Sequence, residues 1–388
     1  MDQLRIPVME SSYIPVCSTM YARRGMHWWK PNSNFYYPFM LLNLEEMTSC
    51  KATKEELDIG EEMNFATDSG GFQVIRGTCK MDWKESIEKQ IRLGANMLFS
   101  FDTPPVKRVS GNEGNNFFEE LPPDEYYKLV KQNFEVACLQ SEWLQANHPE
   151  KVKQFYYVLH SCDKRSLDYN LQLIKEKFGS VEDYGKHFGG VCYSIKKSDI
   201  FFFATTIIHA NNYFIKNGVK VHFLGIGAVA KFVYLVKGKI TTFDSSNAIS
   251  GIMRNQYFYP INKRMGANNV VTTANKYYKY LPCFCPACRA NDSLYKEWKE
   301  VKTDVCVGFS LHNLYRLLQE VYFLNSLKDD KYNEIVSDCY GLDQKKKIIL
   351  EYIDYYFKNG FDKAYEKYQY KVPDAHPQMV KQGSVFDF

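Results

Sequence analysis

A chain of 388 residues, 45% hydrophobic and 16% aromatic, carries enough apolar side chain for one large barrel or two ordinary domains. Its formal net charge of +4 neither requires nor excludes a nucleic-acid partner. Eleven cysteines do not pair off, residues 1–6 show no apolar signal region, and no apolar run reaches the ~20 residues of a membrane span. The expectation is a reduced, cytoplasmic protein with no membrane partner. In chain order, short apolar runs predict strands at 13–17, 36–42, 97–101, 155–159, 190–193, 221–224 and 240–243. Helical periodicity predicts helices at 83–93, 123–146, 167–178 and 228–236, and a longer one at 311–327. Residues 109–121, rich in Gly, Asn and Glu, read as an exposed loop.

Continuous apolar strands alternating with helices predict an α/β fold whose parallel sheet is covered on both faces. Polar or glycine residues stand just past several strands: Asp102, His160, Gly225 and Asp244. A (β/α)₈ barrel places its active site there. An open doubly wound sheet would show the trend at fewer strands, and its usual G-x-G-x-x-G signature is absent. The expected architecture is a (β/α)₈ TIM barrel over 1–327 with a zinc subdomain at about 278–315 and a helical C-terminal extension over 328–388. Lys345, Lys346 and Lys347 read as a solvated helix face, ahead of a phosphate-binding patch.

Cys283, Cys285 and Cys288 form a C-x-C-x₂-C knuckle, and His312 follows. Three thiolates and one imidazole complete a tetrahedral structural Zn²⁺ site with no open position. Chemistry therefore belongs elsewhere. Asp68 precedes Ser69-Gly70-Gly71-Phe72-Gln73, where paired glycines let the backbone approach a ligand closely or take positive φ. The same Asp can instead be a turn residue. Asp102 ends a strand and is followed by Thr103-Pro104-Pro105, and Asp244 either acts at a strand end or caps a helix. Carboxylates converging at one barrel mouth can attack a sugar anomeric carbon or read the N–H edge of a guanine.

These elements together resemble the tRNA-guanine transglycosylase superfamily. The matching segments are Asp68 to Gln73, Phe101-Asp102, Gly189-Gly190, Phe223-Leu224-Gly225-Ile226-Gly227, Phe243-Asp244-Ser245 and the Cys283/Cys285/Cys288/His312 set. The resemblance implies a zinc-bearing (β/α)₈ barrel that exchanges guanine in a polynucleotide for a 7-deazaguanine. It implies Asp244 as nucleophile and Asp68 as general acid/base. Asp102 would read the base, with Ser69 and Gln73 in the same binding loop. Gly190 and Val191 would contact its carbonyl and 7-substituent. Phe72 and Leu224 would sandwich it, next to Gly225. A homodimer is also expected by resemblance.

Three departures favour the phage and bacterial DNA-modifying branch over tRNA enzymes. His160 stands where relatives often carry Gln. Ser245-Ser246-Asn247 replaces the bacterial Pro-Thr-Arg-Asn type. The 76 residues after His312 leave little room for added RNA-binding domains. The expected partners are DNA, free guanine and a free 7-deazaguanine, with tRNA as the alternative polymer. If the chain is phage-encoded, the compartment is the host cytoplasm. The basic, aromatic segment 23–30 is expected either to grip phosphate and wedge the vacated base site or to pack on the barrel as a lid.

Overall fold

The computed structural model describes residues 3–17, 26–30, 33–44, 54–77, 79–110, 116–195, 199–226, 229–248, 257–258, 270–271, 285–289 and 303–371. Eight parallel strands make one sheet. They are β1 (Ser12–Cys17), β2 (Phe39–Leu42), β3 (Asn64–Thr67), β4 (Leu98–Phe99), β5 (Phe155–Ser161), β6 (Gly190–Ile195), β7 (Lys220–Phe223) and β8 (Thr242–Ser245). Hydrogen bonding runs in sequence order, and β8 returns to β1 with Asp244 opposite Ile14. A parallel bridge from Ala66 to Met97 joins β3 to the chain entering β4. Asn96 reinforces it: its Oδ1 accepts from Phe65 N at 2.8 Å and its Nδ2 donates to Met63 O at 2.7 Å. The α/β expectation thus resolves into a near-closed, eight-stranded parallel barrel.

Described helices follow the strands: α1 (Gly71–Arg76), α2 (Trp83–Arg92), α3 (Pro123–Asn147), α4 (Lys164–Phe178), α5 (Val181–His187), α6 (Ile200–Tyr213) and α7 (Val229–Lys237). Then come α8 (Pro286–Arg289), α9 (Thr303–Ser326), α10 (Asp329–Tyr340), α11 (Gln344–Asn359) and α12 (Phe361–Tyr368). Helix α9 packs on β1 and α7, and so covers the face left after β8. Asn325 pins it there: Oδ1 accepts from Ser11 N at 3.0 Å and Nδ2 donates to Ser11 O at 3.0 Å.

Several elements differ from the sequence expectation, among them a strand and a hairpin pair. Asn64–Thr67 is a strand that the apolar-run reading passes over, because four residues beginning with Asn give little signal. Within 109–121, residues 109–110 and 116–120 are strand, because Val106–Ser110 pairs antiparallel with Asn116–Glu120. The expected boundary at 327/328 falls in the turn between α9 and α10. The helices beyond it are docked on the barrel. Tyr332 Oη donates to Val233 O at 2.7 Å, Lys237 Nζ meets Asp354 Oδ1 at 2.7 Å, and the Tyr352 ring stacks on Phe201 at 5.1 Å. Lys345 to Lys347 lie in the first turn of α11, where Lys346 Nζ pairs with the capping Asp343 at 2.8 Å. No helix among the described residues is long and apolar enough to cross a membrane.

Trp28 and Trp29 are buried. Their indole N–H groups donate to Phe39 O at 3.0 Å and Leu57 O at 2.9 Å. Phe39 opens β2, so Trp28 is anchored toward the amino end of the barrel. Arg23 and Arg24 lie outside the described residues.

Candidate active site and metal cluster

Asp68 directly follows β3, Asp102 stands three residues past β4, and Asp244 is the third residue of β8. All three are at the carboxyl ends of barrel strands. Glycine geometry welds the first two loops together. Gly70 holds φ +79°, the left-handed region that favours glycine. A Cβ on Gly71 would collide with the Asp102 backbone carbonyl, so only glycine lets the two loops touch. Three amide side chains from α2 and α3 then hold the Asp102 loop. Gln90 brackets Phe99, accepting from its N–H and donating to its carbonyl at 2.9 Å each. Gln140 Oε1 accepts from Phe101 N at 2.8 Å, and Asn133 brackets Thr103 at 2.9 and 2.8 Å. Asp102 sits between those clamps and is 7% exposed. Its Oδ1 accepts from Ser69 Oγ at 2.6 Å and its Oδ2 faces His160 Nε2 at 2.8 Å.

Asp68 has partners on both carboxylate oxygens. Oδ1 accepts from Leu44 N at 2.9 Å; Oδ2 accepts from Asn43 Nδ2 at 3.0 Å and more weakly from Gln73 Nε2 at 3.4 Å. Enclosure of the carboxyl raises its pKa from 3.8 to about 6, and the nearby Asp102 charge pushes the same way against those hydrogen bonds. A carboxyl poised there can both give and take a proton near neutral pH. The folded chain holds this proton more tightly than the unfolded chain, so stability falls as pH rises from about 4 to about 6 and the full penalty remains above that. Asp68→Asn is therefore expected to raise the melting temperature relative to wild type more at pH 7.5 than at pH 5. A pH-independent difference would show that Asp68 has an ordinary pKa.

Asp244 is 4% exposed and belongs to the strand, which removes the helix-cap reading. Its Oδ1 accepts from Gly225 N at 2.7 Å and faces His222 Nε2 at 3.1 Å. His222 is fully buried, and its Nδ1 lies 3.0 Å from Thr242 Oγ1. Cys192 on β6 feels both remaining carboxylates: burial first, then Asp244 and Asp102, hold its thiol well above the ordinary range. The β4, β6 and β8 carboxyl ends therefore face one interior.

Gly190 and Val191 do not join this group. Gly190 opens β6 in register with Tyr156 and Lys220, and a Cβ there would strike the Tyr156 ring. That is the amino end of the strand, four residues below the level of His160. Val191 shares the parity of Tyr193, whose ring contacts His209 of α6 on the outer face. The residue opposite His160 is Ser194. The base-contact expectation for Gly190 and Val191 is corrected accordingly: a glycine pair looks alike at either end of a strand, and only register tells the ends apart. Phe72 lies in α1 between the Phe118 ring at 5.3 Å and the Arg76 guanidinium at 4.3 Å. Leu224 is half-buried at the end of β7. Sequence reasoning missed His222, Asn43 and Ser194. The alternation of β7 was the one signal for His222, since it puts residue 222 on the face opposite Val221 and Phe223.

Cys285, Cys288 and His312 bring their ligand atoms together in a buried cluster that can bind a metal ion. Each sulfur lies 3.3 Å from His312 Nδ1. Tetrahedral zinc bond lengths imply a sulfur–nitrogen edge of roughly 3.5 Å, so the cluster has nearly the required size. His312 Nε2 lies 2.9 Å from Phe258 O and so carries the hydrogen, leaving Nδ1 with its lone pair toward the sulfurs. Cys283 lies outside the described residues. Among the described residues no other group of three Cys, His, Asp or Glu side chains converges this way. No protein-family model matches the chain, and no curated protein matches it.

Proposed function

We propose that the chain is a transglycosylase that exchanges guanine for a 7-deazaguanine base in DNA through a covalent glycosyl-enzyme on Asp244. One observation carries this reading. Asp68 and Asp102 have hydrogen-bond partners on both carboxylate oxygens. Asp244 is held through Oδ1 alone, and among the described residues its Oδ2 has no hydrogen-bond partner. An anchored carboxylate with one unoccupied oxygen suits a nucleophile. The Asp68 carboxyl, with a pKa of about 6, suits a general acid that becomes a base.

The target nucleotide leaves the stack. Asp244 Oδ2 bonds to C1′ as the bond from C1′ to the base nitrogen breaks. That nitrogen keeps the electron pair and receives the Asp68 proton. The incoming base then returns a proton to Asp68, bonds to C1′ and releases Asp244. No phosphodiester bond changes. Asp102, fixed by Ser69 and His160, offers its remaining lone pairs to the N–H edge of the base. Cys283, Cys285, Cys288 and His312 would hold a structural Zn²⁺ that stabilises the fold and takes no part in the exchange.

DNA is favoured over tRNA by the Ser245-Ser246-Asn247 sequence and by the use of 329–368 as a helical layer against α6 and α7. Helices α10, α11 and α12 pack there against α6 and α7. The test supplies labelled guanine with duplex DNA, single-stranded DNA or bulk tRNA and counts label in each polymer. Label in DNA is expected. Label in tRNA alone overturns the choice of polymer, and label in none overturns the exchange.

A further inference from the structure

We propose that His222 is a positioning residue that fixes which oxygen of Asp244 attacks; this rests on the exchange reading above. His222 lies on β7 opposite Cys192 of β6 and Thr242 of β8, with its ring 5.3 Å from Phe99 across the barrel. It is fully buried, and both ring nitrogens have partners within the barrel wall.

The carboxylate decides the ring's hydrogens. A bare nitrogen facing Asp244 would be repelled, so Nε2 carries the hydrogen and donates to Oδ1. In the neutral ring Nδ1 is then an acceptor, and the Thr242 hydroxyl donates to it. Thr242 sits two residues before Asp244 on the same strand, with its side chain on the same face. The chain Thr242–His222–Asp244 therefore braces the carboxylate against its own strand through β7. Gly225 N supplies the second donor to Oδ1 at 2.7 Å. With two donors on one oxygen, rotation of the carboxylate about its Cβ–Cγ bond would break both contacts. Oδ2 is left facing away from these donors with its lone pairs available. His222 touches neither sugar nor base; it acts through Asp244.

The experiment compares His222→Phe, His222→Gln and Thr242→Val in the full chain. Melting temperature is measured first, then kcat and KM for label exchange, and then the rate at which covalent adduct forms in one turnover. His222→Phe fills the space and removes both ring nitrogens. Loss of carboxylate alignment at this scale is expected to lower kcat and adduct formation about 100-fold, with KM unchanged. His222→Gln returns one N–H donor and is expected to recover to within about tenfold of wild type. Thr242→Val, which frees the ring, is expected to lower kcat with KM unchanged. A folded His222→Phe with wild-type kcat overturns the proposal, as does a folded His222→Gln no better than Phe. If His222→Phe does not fold, wild-type kcat in Thr242→Val overturns it instead. Absence of exchange by the wild-type protein itself removes the exchange reading, and this proposal with it.

Discussion

Asp244→Asn is expected to reduce exchange by roughly 10⁴-fold or more while leaving the chain folded. The amide has nearly the same volume as the carboxylate. Its oxygen can still accept from Gly225 N, which now stands 2.7 Å from Oδ1. What disappears is the anionic oxygen that would bond to C1′. Two measurements check this: label incorporation, and recovery of a protein–nucleic acid adduct on a denaturing gel when free base is withheld. Both should vanish together, with the melting curve retained. Exchange at the wild-type rate would remove Asp244 as nucleophile. Incorporation that survives without any adduct would replace the glycosyl-enzyme with a direct displacement.

The second large effect is expected from the metal cluster. His312→Ala should abolish bound zinc, at one ion per chain in the wild type, and lower the melting temperature by about 10 °C or more. The ring does two jobs at once. It presents Nδ1 to Cys285 and Cys288, and it ties the segment at Phe258 to α9 through Nε2. The adjacent Asn313 Oδ1 accepts from Phe258 N at 3.1 Å, so both residues hold that segment on the helix. Helix α9 in turn packs on β1 and α7 and is pinned by Asn325. Loss of the ion should therefore loosen the barrel closure as well as the knuckle. Metal analysis and calorimetry, with chelated wild-type protein as a parallel, check this. An unchanged melting temperature with no bound metal would show that the cluster is held by packing alone.

The sequence made the barrel legible wherever a strand is apolar over its whole length. Residues 155–159 read directly as a strand because both faces are buried. It failed at β3, and at β4 it gave a longer strand than the structure holds. β4 has only two residues, and its edge is completed by the Gln90 side chain rather than by more strand. It also gave no helix at α6. Its run Ile200 to Phe203 followed by Thr205, Thr206, Ile207 and Ile208 is buried almost all round against the barrel and the later helices, so no polar stripe marks its period. Asp102 and Asp244 were legible because each ends an apolar run, Asp68 because a glycine pair follows it, and the thiols because they are clustered.

What the sequence determined by itself is local: apolar strands, a glycine pair, a cysteine knuckle, and carboxylates at strand ends. Tertiary structure alone decided three things. Register moved Gly190 to the far end of β6 and put Ser194 level with His160. Strand parity turned His222 inward, toward an Asp twenty-two residues later in the chain. Hydrogen bonding from segments remote in sequence filled both oxygens of Asp68 and Asp102 and left Asp244 one. The physical reason is common to all three. In a parallel barrel each neighbour arrives only after a crossover connection, so the contacts that orient a side chain come from segments whose relative height is fixed when the sheet closes.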